Sequence, residues 1–181
     1  MRAFVAIDLP SLEGPLPPGL RPEDHLTVHF FEELPVERVE LVAEAMEETA
    51  GQHGPFDLEV RGVGAFPTVH RPRVVWAGVG EGSTVVQSLV QHLRGALSSR
   101  GFPTVDRPFV PHLTLGRIRS PRDGVWAHRF LAEPENASRV WARVRVSELL
   151  LKESELLPSG ARHTVRSRVP LGPPPRNPPG T

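Results

Sequence analysis

Apolar positions recur along this chain with two different periods, and the changes of period mark its elements. Arg2 to Leu9 is a β-branched, apolar run that reads as a strand ending at Pro10. Ser11 to Asp24 is broken by Pro15, Pro17, Pro18, Gly19 and Pro22, which leaves no room for a regular helix. His25 to Phe31 reads as a second strand. Pro35 stands where a first helical residue belongs, and Val39, Val42, Met46 and Ala50 follow at spacings of three and four. Val36 to Gly51 is therefore expected to be an amphipathic helix. Phe56 to Arg61 alternates as a strand does, and Gly62 to Arg73 reads as a Gly/Pro-punctuated loop. Arg73 to Val79 is a strand. Ser83 is the expected cap of a second helix with the stripe Val86, Leu89, Val90, Leu93 and Leu97, closed by Gly101. His112 to Ile118 reads as a strand after the stiff lead-in Arg107 to Pro111. Val140 to Lys152 is largely strand, Gly160 is a turn, and His163 to Val169 is a last strand.

Helices and strands are mixed without strict alternation, which predicts an α+β fold with mostly antiparallel sheets. Each half carries one long amphipathic helix and one His-Leu-Thr strand. That echo suggests two similar lobes facing each other across a cleft. We expect residues 1–171 to form one two-lobed domain. Residues 172–181 hold five prolines and little that is apolar, and are expected to be a disordered tail.

Composition narrows the function classes. The chain has 181 residues and is 39% hydrophobic, enough for a core. No apolar run is long enough to span a bilayer. The opening Met1 to Asp8 is too short to read as a secretion signal, so the expected location is the cytoplasm. There is no cysteine, which excludes disulfides and thiolate metal sites. Formal net charge is zero, which argues against bulk electrostatic coating of nucleic acid but not against gripping one phosphate. Lys152 is the only lysine; the other basic side chains are arginines.

The candidate chemistry lies in two near-identical tetrapeptides, His25-Leu26-Thr27-Val28 and His112-Leu113-Thr114-Leu115. On a strand, residues i and i+2 share a face, so each motif presents an imidazole beside a hydroxyl and turns its apolar residues inward. An imidazole changes charge near neutral pH, and a threonine hydroxyl can donate to a phosphate oxygen. With 8 His in the chain, a single His-x-Thr match carries little weight, since roughly 0.35 are expected by chance. Two copies sharing the leucine and the following aliphatic residue are a different matter.

With its flanks, the doubled motif resembles the two-histidine (2H) phosphoesterases, and among them the bacterial and archaeal RNA 2′,3′-cyclic phosphodiesterases, also called 2′-5′ RNA ligases. The resemblance extends over Phe4 to Pro10, His25 to Phe30, Gly62 to Pro67, Arg73 to Val79, Arg107 to Arg117 and Leu156 to Thr164. It implies a two-lobed α+β fold, no metal and no cofactor, and hydrolysis of RNA 2′,3′-cyclic phosphate ends or cyclic nucleotides to 2′-phosphates. One histidine would protonate the 3′ leaving oxygen while the other activates water. Our assignment is His25 as acid and His112 as base, with Thr27 and Thr114 holding the phosphate. Two departures stand out. The segment before the first motif is short and proline-rich where relatives carry a helix, and His29 occupies a position where relatives often have another residue.

Phe30 and Arg117 each lie five residues after their histidine. A regular strand would point them to the opposite face; a bulge would return them to the histidine side. There Phe30 could stack on a base and Arg117 could stack or contact phosphate, so both are candidate substrate-binding residues. His29 shares the face of His25 if the strand is regular, and reads as a solvated residue. His53, His70, His92, His128 and His163 have no motif context and are expected on surfaces or helix faces. No carboxylate cluster is evident beside the histidines, so no metal site is expected. A monomer is expected. Two other readings are open: 2′-5′ RNA ligation or cleavage of 2′-5′ linkages by the same histidines, and an RNA-end-binding module without turnover.

Overall fold

The computed structural model describes residues 1–173. Its elements run β1 (Ala3–Asp8), β2 (His25–Phe31), α1 (Val39–Ala50), β3 (Phe56–Thr68), β4 (Arg71–Val79), α2 (Ser83–Ser99), β5 (His112–Arg117), α3 (Pro121–Ala132), β6 (Val140–Val146), β7 (Glu148–Leu157) and β8 (Gly160–Pro170). Short 3₁₀ turns at Val36–Arg38 and Pro134–Ala137 precede α1 and follow α3. The strands form two four-stranded sheets, β2-β1-β7-β8 and β5-β4-β3-β6, with every pairing antiparallel. The expected α+β class with antiparallel sheets is what the chain adopts.

Each sheet buries one face under helices. The expected α2 stripe of Val86, Leu89, Val90, Leu93 and Leu97 is entirely buried, joined by Ala96. On α1, Val42, Met46 and Ala50 are buried as the spacing predicts. Leu26 of β2, Leu113 and Leu115 of β5, and Ile7 of β1 are fully buried, so the residues between them are turned to the other side. The apolar interior draws on both sheets and all three helices as one connected cluster.

The two sheets are not the two halves of the chain. β7 and β8 come from the C-terminal part, yet they extend the first sheet by pairing β7 against β1. What was expected as one strand from Val140 to Lys152 is two, separated at Ser147, and the break carries the chain from the second sheet to the first.

Other expectations also need correction. The span 62–73 is not a loop: β3 continues through Gly62 to Thr68 and returns at Arg71. Gly62 has φ +72° and marks a register shift between Arg61 and Val63, so the glycine inserts a bulge rather than ending the strand. Gly82, not Ser83, caps α2, in a left-handed conformation where a Cβ would stand 2.6 Å from the Asp57 carbonyl oxygen. Residues 119–139 carry no expected element, yet α3 forms there. Ser120 accepts from the Asp123 N–H while the Asp123 carboxylate accepts from the Ser120 N–H, with Pro121 at the first helical position. The segment before β2 has no regular element, as its prolines dictate. The tail expected at 172–181 lies outside the described residues from 174 onward; Gly172 donates to the Ala50 carbonyl at 3.0 Å.

Candidate active site

β2 and β5 are the outer strands of their sheets, and they meet: the Glu23 N–H, two residues before His25, donates to the Thr114 carbonyl at 2.9 Å. The two His-Leu-Thr motifs are thereby brought to one place in the fold.

Register decides which side chains share the open face. In β2, Asp8 pairs with His25, Ala6 with Thr27 and Phe4 with Phe30, because one extra residue, Val28, is accommodated opposite the Val5–Ala6 step. In β5, Gly78 pairs with His112, Trp76 with Thr114 and Val74 with Arg117, with Leu115 as the extra residue. Both motifs thus carry a bulge at the same position. Each bulge turns the residue five after the histidine back to the histidine side. Phe30 is 43% exposed, and the Arg117 side chain is also open to solvent. The first bulge has a second effect. His29 pairs with Val5 on the helix-covered face, against Phe31, and does not share the His25 face. Burial there, together with the charge of Arg94, lowers the His29 pKa to about 4.

Each imidazole rests on aromatic rings from neighbouring strands. His25 is only 4% exposed and stacks on Phe4 with centroids 4.7 Å apart. His112 meets the edge of Phe66 at 4.9 Å and lies 6.1 Å from Trp76. The Trp76 ring lies over Gly64, where a Cβ would come within 2.3 Å of it, so that glycine is needed for the ring to lie flat. The buried Trp76 Nε1 has no hydrogen-bond partner among the described residues.

The two histidines differ in their polar neighbours. His25 Nδ1 is 3.0 Å from Asp24 Oδ1, and its Nε2 is 3.6 Å from Glu23 Oε2. The hydrogen bond from His25 holds the Asp24 carboxyl below its ordinary pKa. Both ring nitrogens of His25 therefore face carboxylates, Nδ1 within hydrogen-bond distance and Nε2 at the longer distance. His112 Nδ1 is 2.7 Å from the Val110 carbonyl, which can only accept. Nδ1 must then carry the proton, and a neutral His112 keeps its lone pair on Nε2. Glu23 joins the two motifs, since its other oxygen is 3.6 Å from the Arg117 guanidinium.

Several neighbours of His25 escaped sequence reasoning because strand pairing across the whole chain brings them there. His163 of β8 lies edge-on to both Phe4 and His25, at 4.9 and 5.2 Å, although it was expected as an unrelated surface residue. Burial and the charge of His25 lower its pKa. Lys152, buried on β7 opposite Phe4, reaches Asp8 at 2.5 Å. Its status as the only lysine was the one signal that could have drawn attention to it. Asp24, His25 and His163 offer ligand atoms within 4.8 Å of one another, so a group that could hold a cation does exist, contrary to expectation. The Lys152 ammonium acts on Asp24 and His163 from close by, which works against a second cation there. A groove of about 600 Å³ between Pro17, Pro18 and the Trp126–Phe130 side of α3 is elsewhere; neither motif histidine lines it. Among the described residues no helix is long and apolar enough to cross a membrane.

Known proteins resemble this chain over most of its length. Residues 15–153 match the 2′-5′ RNA ligase superfamily. A Methanothermobacter thermautotrophicus protein named RNA 2′,3′-cyclic phosphodiesterase is 31% identical, over 91% of this chain and 95% of its own. A Thermus thermophilus protein of the same name is 32% identical, over 87% of this chain and 75% of its own. Among solved structures, TT0787 of Thermus thermophilus superposes with a TM-score of 0.69 at 27% identity, over 94% of this chain and 98% of that one. Escherichia coli LigT complexed with 3′-AMP gives 0.68 at 26% identity, over 94% and 97%. The chain belongs to the 2′-5′ RNA ligase superfamily, the two-histidine phosphoesterases.

Proposed function

We propose that this protein hydrolyses the 2′,3′-cyclic phosphate ends of RNA, or cyclic nucleotides, to 2′-phosphates, without a metal or cofactor. The observation that carries the reading is the repeated bulge, which lines up His25, Thr27 and Phe30 on one edge strand and His112, Thr114 and Arg117 on the other. The names of the relatives, RNA 2′,3′-cyclic phosphodiesterase, agree with it.

The step is an in-line displacement at phosphorus. A water oxygen bonds to phosphorus as the bond from phosphorus to O3′ breaks. His112 Nε2 takes the water proton, and His25 delivers a proton to O3′, so the proton count closes over the turnover. The carboxylates around His25 support its role as acid, and the Val110 carbonyl supports His112 as base. Each contributes roughly 10²–10⁴-fold. Thr27 and Thr114 hold the non-bridging oxygens where charge grows. Phe30 stacks on the terminal base and Arg117 contacts the phosphate.

Product analysis on an oligonucleotide with a 2′,3′-cyclic phosphate end tests this reading. A 2′-phosphate product supports it; a 3′-phosphate product, or no turnover, overturns it. Residual activity of His25→Ala should lose the alkaline limb of its pH–rate profile. Loss of the acidic limb instead would exchange the two roles. With a 5′-hydroxyl in place of water as the nucleophile, the same displacement breaks the bond to O3′ and joins two ends through a 2′-5′ linkage, the reaction the family description names.

A further inference from the structure

Glu23 stands where a substrate anion belongs. Asp24 engages His25 Nδ1, so Nε2 is the nitrogen left to face a substrate, and it is this nitrogen that Glu23 Oε2 approaches to 3.6 Å. The other carboxylate oxygen lies 3.6 Å from the Arg117 guanidinium, on the opposite motif. These are ion-pair rather than hydrogen-bond distances, so the carboxylate spans the gap without being locked to either group. Its two oxygens face His25 and Arg117, the side chains that the oxygens of a bound phosphate would meet.

Glu23 cannot leave the site entirely. Its N–H is fixed to the Thr114 carbonyl at 2.9 Å, and Pro22 precedes it. The side chain is a third exposed and can swing toward solvent, but its backbone stays tied between the two motifs. A carboxylate that merely oriented His25 would sit on the nitrogen away from the reaction, and Asp24 already does so.

We propose that Glu23 selects substrates by charge: it tolerates a singly charged phosphodiester and expels a doubly charged phosphomonoester. The inference rests on the phosphodiesterase reading. A 2′,3′-cyclic phosphate carries one negative charge, whereas the 2′-monophosphate formed from it carries about −1.5 to −2 at pH 7. Repulsion by a fixed carboxylate scales with that charge. Glu23 thereby speeds release of the product and keeps abundant nucleoside monophosphates from occupying the site.

The test compares wild type, Glu23→Gln and Glu23→Asp, measuring KM for 2′,3′-cAMP and Ki for 2′-AMP in the same assay. In Glu23→Gln, Ki for 2′-AMP should fall about tenfold while KM for 2′,3′-cAMP falls about threefold, because the effect grows with ligand charge. Glu23→Asp should keep the wild-type ratio of the two constants. Equal changes in Ki and KM, or no change in Ki, overturn the proposal. Absence of turnover by wild type would instead remove the phosphodiesterase reading. In that event the calorimetric Kd of 2′-AMP still decides the role of Glu23: tighter binding by Glu23→Gln supports it, and equal binding overturns it.

Discussion

His25 and Phe30 are five residues apart on one strand and yet point to the same side of the sheet, because Val28 is an extra residue opposite the Val5–Ala6 step of β1. His112 and Arg117 repeat the arrangement on β5 through Leu115. The bulge places one further side chain on the open face of each motif without moving its leucine out of the core. On that geometry Phe30→Ala should raise KM for a cyclic nucleotide about tenfold, as the loss of one base–aromatic stack does. Steady-state kinetics checks this. An unchanged KM would mean that the ring, which lies 5.2 Å from the Arg2 guanidinium, serves only its neighbours.

Thr27 and Thr114 sit between each histidine and its bulge. If their hydroxyls stabilise charge that develops at phosphorus, Thr27→Val and Thr114→Val should each lower kcat about 10²-fold, with a much smaller effect on KM. Melting temperatures measured alongside should stay near wild type, since valine preserves shape and suits a strand.

The same bulge that exposes Phe30 turns His29 to the helix-covered face, and this has a consequence for stability. His29 titrates near 4 in the folded protein, against an ordinary value of 6.5. Above pH 6.5 it is neutral in both folded and unfolded states and contributes no pH dependence. As pH falls from about 6.5 to 4, the unfolded chain takes up a proton that the folded protein refuses, so stability declines through that window and levels off below it. The full loss is on the order of 3 kcal/mol. Urea unfolding of wild type and His29→Gln at pH 7 and pH 4.5 should show a smaller decline in the variant. Parallel declines would place the cause in other groups.

Ser120 and Asp123 close the first turn of α3 by reciprocal hydrogen bonds. Ser120→Ala should cost about 1 kcal/mol of stability, seen as a lower unfolding midpoint. Neither Ser120 nor Asp123 belongs to a motif, so kcat and KM should hold.

Much of this was legible in the sequence, and the reasons for the rest are physical. The stripe of α2 and the alternation of His25 to Thr27 are local patterns, and both are realised. The bulges at Val28 and Leu115 are not local: a strand becomes bulged only against a partner, and β1 and β4 supply the register. Lys152 reaches Asp8 and His163 reaches His25 because β7 and β8 return from the far end of the chain to pair beside β1. No spacing within a short window could announce that. α3 is a different case. Its Ser-Pro-x-Asp start is a readable signal, but only Ala127 and Phe130 are buried along it, too few to form a visible apolar stripe.

Both imidazoles must serve one phosphorus atom in this mechanism, and a double-mutant cycle measures that directly. Single-turnover hydrolysis of 2′,3′-cAMP should fall about 10³-fold in His25→Ala and about as much in His112→Ala, and the double variant should lose little more than either, because an acid and a base in one displacement act as a unit. Near-wild-type hydrolysis by either single variant, or losses that simply multiply in the double, would contradict it.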